Sequence, residues 1–144
     1  MKLFLVRHGR TIANIMGALD TAFPGNSLDA TGLTQAASLP GKLAGEPIEA
    51  VYASNLARAQ QTAAPLAESL GLEVQVLEGV REISAGVEEL NCDWRTYVAE
   101  LQAWSPSNMD SGLEGGETAR QFMERFTSAI SQVESAGHGC AAVV

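Results

Sequence analysis

The sequence predicts an α/β fold, a three-layer α/β/α sandwich around a central, mostly parallel sheet. Three observations carry this prediction. Short apolar runs such as Leu3-Phe4-Leu5-Val6 and Ala50-Val51-Tyr52-Ala53 read as strands buried on both faces. Between them lie helix-period stretches, and strands that alternate with helices imply parallel pairing with helices on both faces. At 144 residues, 46% hydrophobic and 18% charged, the chain has the size and composition of one globular domain with a real core.

In chain order, residues 2–7 are the first strand, and residues 10–30, with Gly17, Pro24, Gly25 and Asn26, read as a long loop. A loop of that length in a compact domain usually serves a site, here as one wall of a cleft. Thr31 or Thr34 would cap a helix carrying Leu33, Ala36, Ala37 and Leu39, and Pro40-Gly41 would break it, because proline lacks an amide donor. Residues 50–53 form the second strand. Ser54 follows as an N-cap candidate for a helix over residues 56–69, which is bent at Pro65 and closed by Gly71. A third strand is expected over residues 72–77, and residues 79–92 read as loop. Trp94, Tyr97, Val98, Leu101 and Trp104 recur at helical spacing and predict a helix over 93–104 that packs them into the core. The Gly-rich stretch 112–116 precedes the clearest helix. There Ala119, Phe122, Met123, Phe126, Ala129, Ile130 and Val133 trace one apolar stripe, read as core. Residues 140–144 are the last strand.

Arg7-His8-Gly9 directly follows the first strand, at the carboxyl end where open α/β sheets place ligands, and Gly9 permits a sharp turn and close backbone approach. An imidazole and a guanidinium placed there can attack and neutralise a phosphoryl group. Net charge is −8 and the pI about 4.6, which disfavours nucleic-acid and anionic membrane partners and requires any phosphate site to gather its own positive charge. Cys92 and Cys140 lie far apart, with no metal-ligand spacing, and read as free thiols of a reducing cytoplasm. With no apolar stretch of membrane-span length and no signal peptide ahead of the first strand, the protein is expected to be cytoplasmic.

Four segments then share a purpose: Arg7-His8-Gly9-Arg10-Thr11 with Asn14; residues 54–63, Ser-Asn-Leu-Ala-Arg-Ala-Gln-Gln-Thr-Ala; Val80-Arg81-Glu82-Ile83; and Gly115-Gly116-Glu117-Thr118. In this order they resemble the histidine phosphatase superfamily, the phosphoglycerate mutase-like proteins, over essentially the whole chain. The resemblance implies a phosphoglycerate mutase-like sandwich and hydrolysis of a small phosphorylated metabolite through a phosphohistidine at His8, with inorganic phosphate as product. It implies no metal and no cofactor, and commonly a homodimer. Arginines near His8 would lower its pKa and keep the imidazole neutral, with the lone pair a nucleophile needs. Arg7 and Arg58 offer planar donor forks to phosphate oxygens. Asn14 and Ser54 either complete the phosphate cradle or only cap and stiffen their loops. The family's acidic residue falls on Glu82, as proton donor and later as base; Glu88 and Glu89 are weaker choices, and Glu82 paired to Arg81 is the competing structural role. His138 receives no role.

One departure stands out. The family uses a second histidine just after the last core strand, where this chain reaches Val144. The resemblance therefore implies one histidine phosphatase-like domain over 1–144 that misses its C-terminal part and is short of full activity. Two alternatives stay open. Residues 81–86, Arg-Glu-Ile-Ser-Ala-Gly, lack the segment typical of mutases, which leaves a phosphoglycerate mutase second to a phosphatase. A non-catalytic phospho-ligand binder would need the arginines but neither His8 nor Glu82.

Overall fold

The computed structural model describes residues 1–144 and contains a single sheet of four parallel strands in the order β1-β4-β2-β3. The strands are β1 Lys2–Leu5, β2 Ala50–Ala53, β3 Val74–Val76 and β4 Cys140–Val143. Their registers pair Leu3 with Ala141, Val51 with Ala142 and Tyr52 with Gln75. The two central strands are buried at every position, the pattern their unbroken apolar runs predict.

Side chains alternate between two cores, as the period of a strand requires. Val51, Ala53, Cys140 and Ala142 face α4 (Ala57–Leu70), which presents Ala59, Ala63, Leu66 and Ala67. Ala50, Tyr52, Ala141 and Val143 face Val133 of α6 (Ala119–Ser135) on the opposite side. Helix, sheet and helix thus make the three layers of the predicted sandwich. Helices α2 (Ala30–Ala37) and α3 (Leu39–Lys42) pack beside α4, and Leu39 and Leu43 close that core.

Local chemistry explains where the elements depart from expectation. The predicted loop 10–30 contains a short helix, α1 (Ile12–Met16), closed by a Thr11/Asn14 capping box at one end and by Gly17 in the left-handed region at the other. Five residues are too few to show a helical period. Asp29, not a threonine, caps α2 through its carboxylate on the Gly32 amide. Pro40 does not end a helix; it sits in the first turn of α3, where an amide has no helical acceptor to lose. Ser54 is not an N-cap either: Leu56 occupies that position without a side-chain bond, and the Ala57 amide donates to the carbonyl of Pro24, 2.8 Å away. Gly71 does close α4, in the left-handed region. Single 3-10 turns at Glu78–Val80 and Gly86–Glu88 interrupt the expected loop 79–92. The helix predicted over 93–104 is α5 (Arg95–Ala103), but of its apolar set only Tyr97 is fully buried, and Trp94 and Val98 are exposed. On α6 the stripe is core only at Ala119, Ala129 and Val133; Met123 is exposed and Phe122 and Phe126 are half-buried. No helix is long and apolar enough to cross a membrane.

Candidate active site

All four strands end on one edge of the sheet, and the segments leaving them form the site. Arg7 and His8 follow β1, Ser54 follows β2, Glu82 lies beyond β3, and Val144 follows β4. Arg7, His8, Ser54, Arg58 and Glu82 line one cavity of about 480 Å³. An adjoining cavity of about 210 Å³ adds Asn14, Asp20 and Tyr97 to Arg7, His8, Arg58 and Glu82. The structure therefore brings the six residues singled out from sequence to one place.

His8 is half-buried, and its Nδ1 lies 2.7 Å from the carbonyl oxygen of Gly9. A carbonyl only accepts, so Nδ1 carries the proton and donates, and the lone pair is left on Nε2. Burial above all, then the charges of Arg58 and Arg7, hold the imidazole below its ordinary pKa against the opposing effects of the Gly9 bond and Glu82. The sequence foresaw the direction; burial, rather than the arginines, leads the cause. Gly9 is fixed in turn: its amide donates to Thr62 Oγ1 at 2.9 Å, and that hydroxyl donates to the Arg58 carbonyl at 2.7 Å. One buried threonine thus ties the nucleophile's loop to the helix that carries Arg58. Gly9 also runs against α2, where a Cβ would stand 2.6 Å from the Gly32 carbonyl oxygen. Only glycine permits this approach.

Arg58 is 3% exposed, and its Nη1 lies 3.3 Å from Asp20 Oδ2. The remaining guanidinium nitrogens form no bond with the protein. A Cβ on Gly25 would stand 2.7 Å from that Nη1, so loop 20–26 passes close over the guanidinium. Five further arginines have a carboxylate partner: Arg10 with Asp29, Arg81 with Glu78, Arg95 with Asp93, Arg120 with Asp110 and Arg125 with Glu117. Arg7 alone does not; it is exposed at the site. In a chain of net charge −8, a free guanidinium beside a neutral imidazole is where an anion would bind.

Asn14 spends its Oδ1 on the Thr11 amide and hydroxyl, so the capping role is realised, and its Nδ2 has no protein acceptor. Ser54 is buried at the cavity wall, with its amide bonded to Val144 and its hydroxyl free of protein partners.

Glu82 is exposed, and its carboxylate meets only the amide of Ile83, at 3.1 Å. The competing pairing with Arg81 is not formed, since Arg81 turns to Glu78 at 3.6 Å. The weaker choices are occupied: Glu89 accepts from the Thr21 amide and hydroxyl and the Ala22 amide, and Glu88 accepts from Asn91. Sequence reasoning missed what holds the Glu82 loop. Arg125 of α6 donates to the carbonyls of Gly79, Arg81 and Glu82 at 2.8, 2.9 and 3.0 Å and pairs with Glu117. Glu117 accepts the Ser84 amide at 2.9 Å. Burial opposes its charge, but the Arg125 bond, the Ser84 amide and the Arg125 charge together keep its carboxyl below the usual range. The Tyr97 hydroxyl donates to the Ile83 carbonyl, and burial first, then the carboxylate of Glu82, push its phenol far above its ordinary value, so it remains a donor. Glu117 was visible as part of the glycine-rich segment. Arg125 sits two turns into a helix among ordinary polar positions, and nothing local marks it.

No three His, Cys, Asp or Glu side chains come together in a metal-ligating group. The sequence model of the histidine phosphatase superfamily (branch 1) matches residues 3–144. The adenosylcobalamin/alpha-ribazole phosphatase of Escherichia coli (strain K12) is 33% identical over 141 residues, which is 93% of this chain and 68% of that protein. A protein named "Probable phosphoglycerate mutase GpmB" in Yersinia enterocolitica is 33% identical over 120 residues, 81% of this chain and 53% of that one. The crystal structure of the alpha-ribazole phosphatase from Shigella flexneri superposes with a TM-score of 0.79 at 29% identity, covering 100% of this chain and 73% of that one. The chain spans from 15% to 69% of the length of the curated relatives it matches.

Proposed function

The chain belongs to the histidine phosphatase superfamily, and from that membership we propose that it hydrolyses a phosphomonoester of a small metabolite through a phosphohistidine at His8. The observation that carries this reading is the His8 tautomer. With Nδ1–H committed to the Gly9 carbonyl, the Nε2 lone pair is free in a cavity where Arg7 and Arg58 offer donors. Phosphoryl transfer asks the protein mainly for positioning and for stabilisation of charge on the equatorial oxygens. In the first step Nε2 attacks phosphorus, the ester P–O bond breaks, and the departing oxygen takes a proton from Glu82. In the second, Glu82 removes a proton from water, which attacks phosphorus; the P–N bond breaks and inorganic phosphate leaves. Asn14 Nδ2 and the Ser54 hydroxyl are the neutral donors of the cradle. The cytoplasm is the compartment this reading implies, in keeping with two free thiols.

A mutase is the second reading, favoured by the name of the Yersinia relative. The experiment incubates the natural full-length protein, without added metal, with phosphomonoesters including phosphoglycerates, beside His8→Ala, measuring free phosphate and isomerised product separately. Phosphate release that falls at least about a thousandfold in His8→Ala is the expected result. Isomerisation faster than release moves the assignment to mutase, and turnover unaffected by His8→Ala refutes the reading.

A further inference from the structure

Three aromatic side chains at the site have no work in the chemistry just described. Phe122 and Phe126 were expected in the core, yet both are half-buried and line the cavity that holds His8 and Arg58. Their rings stack at 5.5 Å and 28°, and Trp104 backs Phe122 at 5.9 Å. Trp94, 44% exposed, stands in the same wall, its indole fixed by a 2.5 Å hydrogen bond from Nε1 to the Gly17 carbonyl. Solvated rings held in place beside a polar cradle form an apolar patch rimmed by charge, the mark of a ligand surface. Aromatic faces prefer flat apolar partners in offset or edge contact.

The cations around this cavity have other neighbours. Arg7 and Arg58 are committed to the phosphoryl group. Arg81, the remaining cation of the wall, pairs with Glu78, and the guanidinium of Arg125 is taken by Glu117 and three carbonyls. The rival seat is the neighbouring cleft of about 370 Å³ along α2, where Arg10 is tied to Asp29 and Thr31 and Lys42 has no carboxylate partner.

We infer that the substrate is a phosphomonoester whose alcohol portion is flat and apolar or aromatic and seats against Phe122, Phe126 and Trp94. This rests on the hydrolase reading and specifies its substrate class. The test compares three alkyl phosphates with similar leaving groups, 2-phenylethyl phosphate, glycerol 3-phosphate and 3-phosphoglycerate, on the natural full-length protein and on Phe122→Ala and Trp94→Ala. The wild type is expected to favour 2-phenylethyl phosphate by about tenfold or more in kcat/KM, the scale of burying one ring. Each variant should erase most of that preference through KM, while inhibition by inorganic phosphate changes less than about twofold, which also reports an intact fold. Equal or better use of 3-phosphoglycerate overturns the inference, and if Lys42→Ala removes that use, the α2 cleft is the substrate's seat instead. Preference unchanged in both variants overturns it as well. Turnover without preference defeats this inference alone; no turnover of any ester defeats the hydrolase reading with it.

Discussion

Replacing Arg125 with methionine tests whether the Glu82 loop is held by the Arg125–Glu117 pair. Methionine keeps an apolar stem while removing the guanidinium. Lost with it are three hydrogen bonds to the carbonyls of Gly79, Arg81 and Glu82, and the partner of a carboxylate whose side chain is 9% exposed. Breaking a buried ion pair by deleting one partner costs about 3–5 kcal/mol. The Arg125 side chain is 18% exposed, so water relieves part of this, and about 2–4 kcal/mol is expected. For a domain of this size that lowers Tm by roughly 6–14 °C. Because the loop carries Glu82, kcat should fall by about tenfold to a hundredfold, the scale of a displacement near 1 Å. Competitive inhibition by phosphate should barely move, since Arg7, His8 and Arg58 lie on other elements. Thermal unfolding and steady-state kinetics read the two effects separately. A drop in Tm with unchanged kcat refutes the positioning argument, and no drop in Tm refutes the energetic one. The pH dependence supplies an independent check. The folded-state pKa of Glu117 is depressed, so its contribution is fully present above the ordinary value of 4.5 and is lost as pH falls through the lower folded value. Glu117→Gln should flatten that part of the acid unfolding curve.

Two further outcomes follow from the geometry. The acid limb of kcat/KM should lie below pH 6.5, the ordinary value for His8, and Arg7→Ala, which removes one of the charges lowering it, should shift the limb upward and raise KM; a limb unmoved by Arg7→Ala contradicts the assigned field. Gly32→Ala places a Cβ 2.1 Å from the Arg10 carbonyl oxygen, so it should destabilise by about 1–3 kcal/mol in chemical unfolding and lower activity by displacing the His8 loop; wild-type stability would mean the two backbones are not in this contact.

How much of this was legible in the sequence depended on the range of the interaction that decides each feature. Strand β2 and the C-terminal end of α4 are set by a local apolar run and by the stop signal Gly71, and they fall within a few residues of expectation. The helix over 12–16 was missed because its stabilisation is a capping box rather than a period. Helix α4 begins without its expected serine cap because the Pro24 carbonyl, 33 positions away in sequence, satisfies its first amide. A contact of that range leaves no periodic trace.

The site divides along the same line. His8, Arg7 and Arg58 could be named because each is a reactive group just after a strand or at the start of a helix, positions a one-dimensional reading can place, whereas Glu82, in a loop, was named from the family resemblance. Thr62 and Arg125 could not, because their work is on backbone atoms of other segments, and any hydrogen-bonding residue type could in principle do it from many places. The aromatic stripe of α6 misled for a related reason. Helical spacing gives the face a ring occupies, but not what lies opposite that face. Ala129 and Val133 meet the sheet or the Glu78–Val80 turn, whereas Phe126 and Phe122, about one and two turns nearer the N-terminus, reach the cavity. Amphipathic periodicity continues along a helix even where the sheet beneath it has stopped. Apolar residues that overhang the carboxyl edge of a parallel sheet are therefore candidates for substrate contact as much as for core.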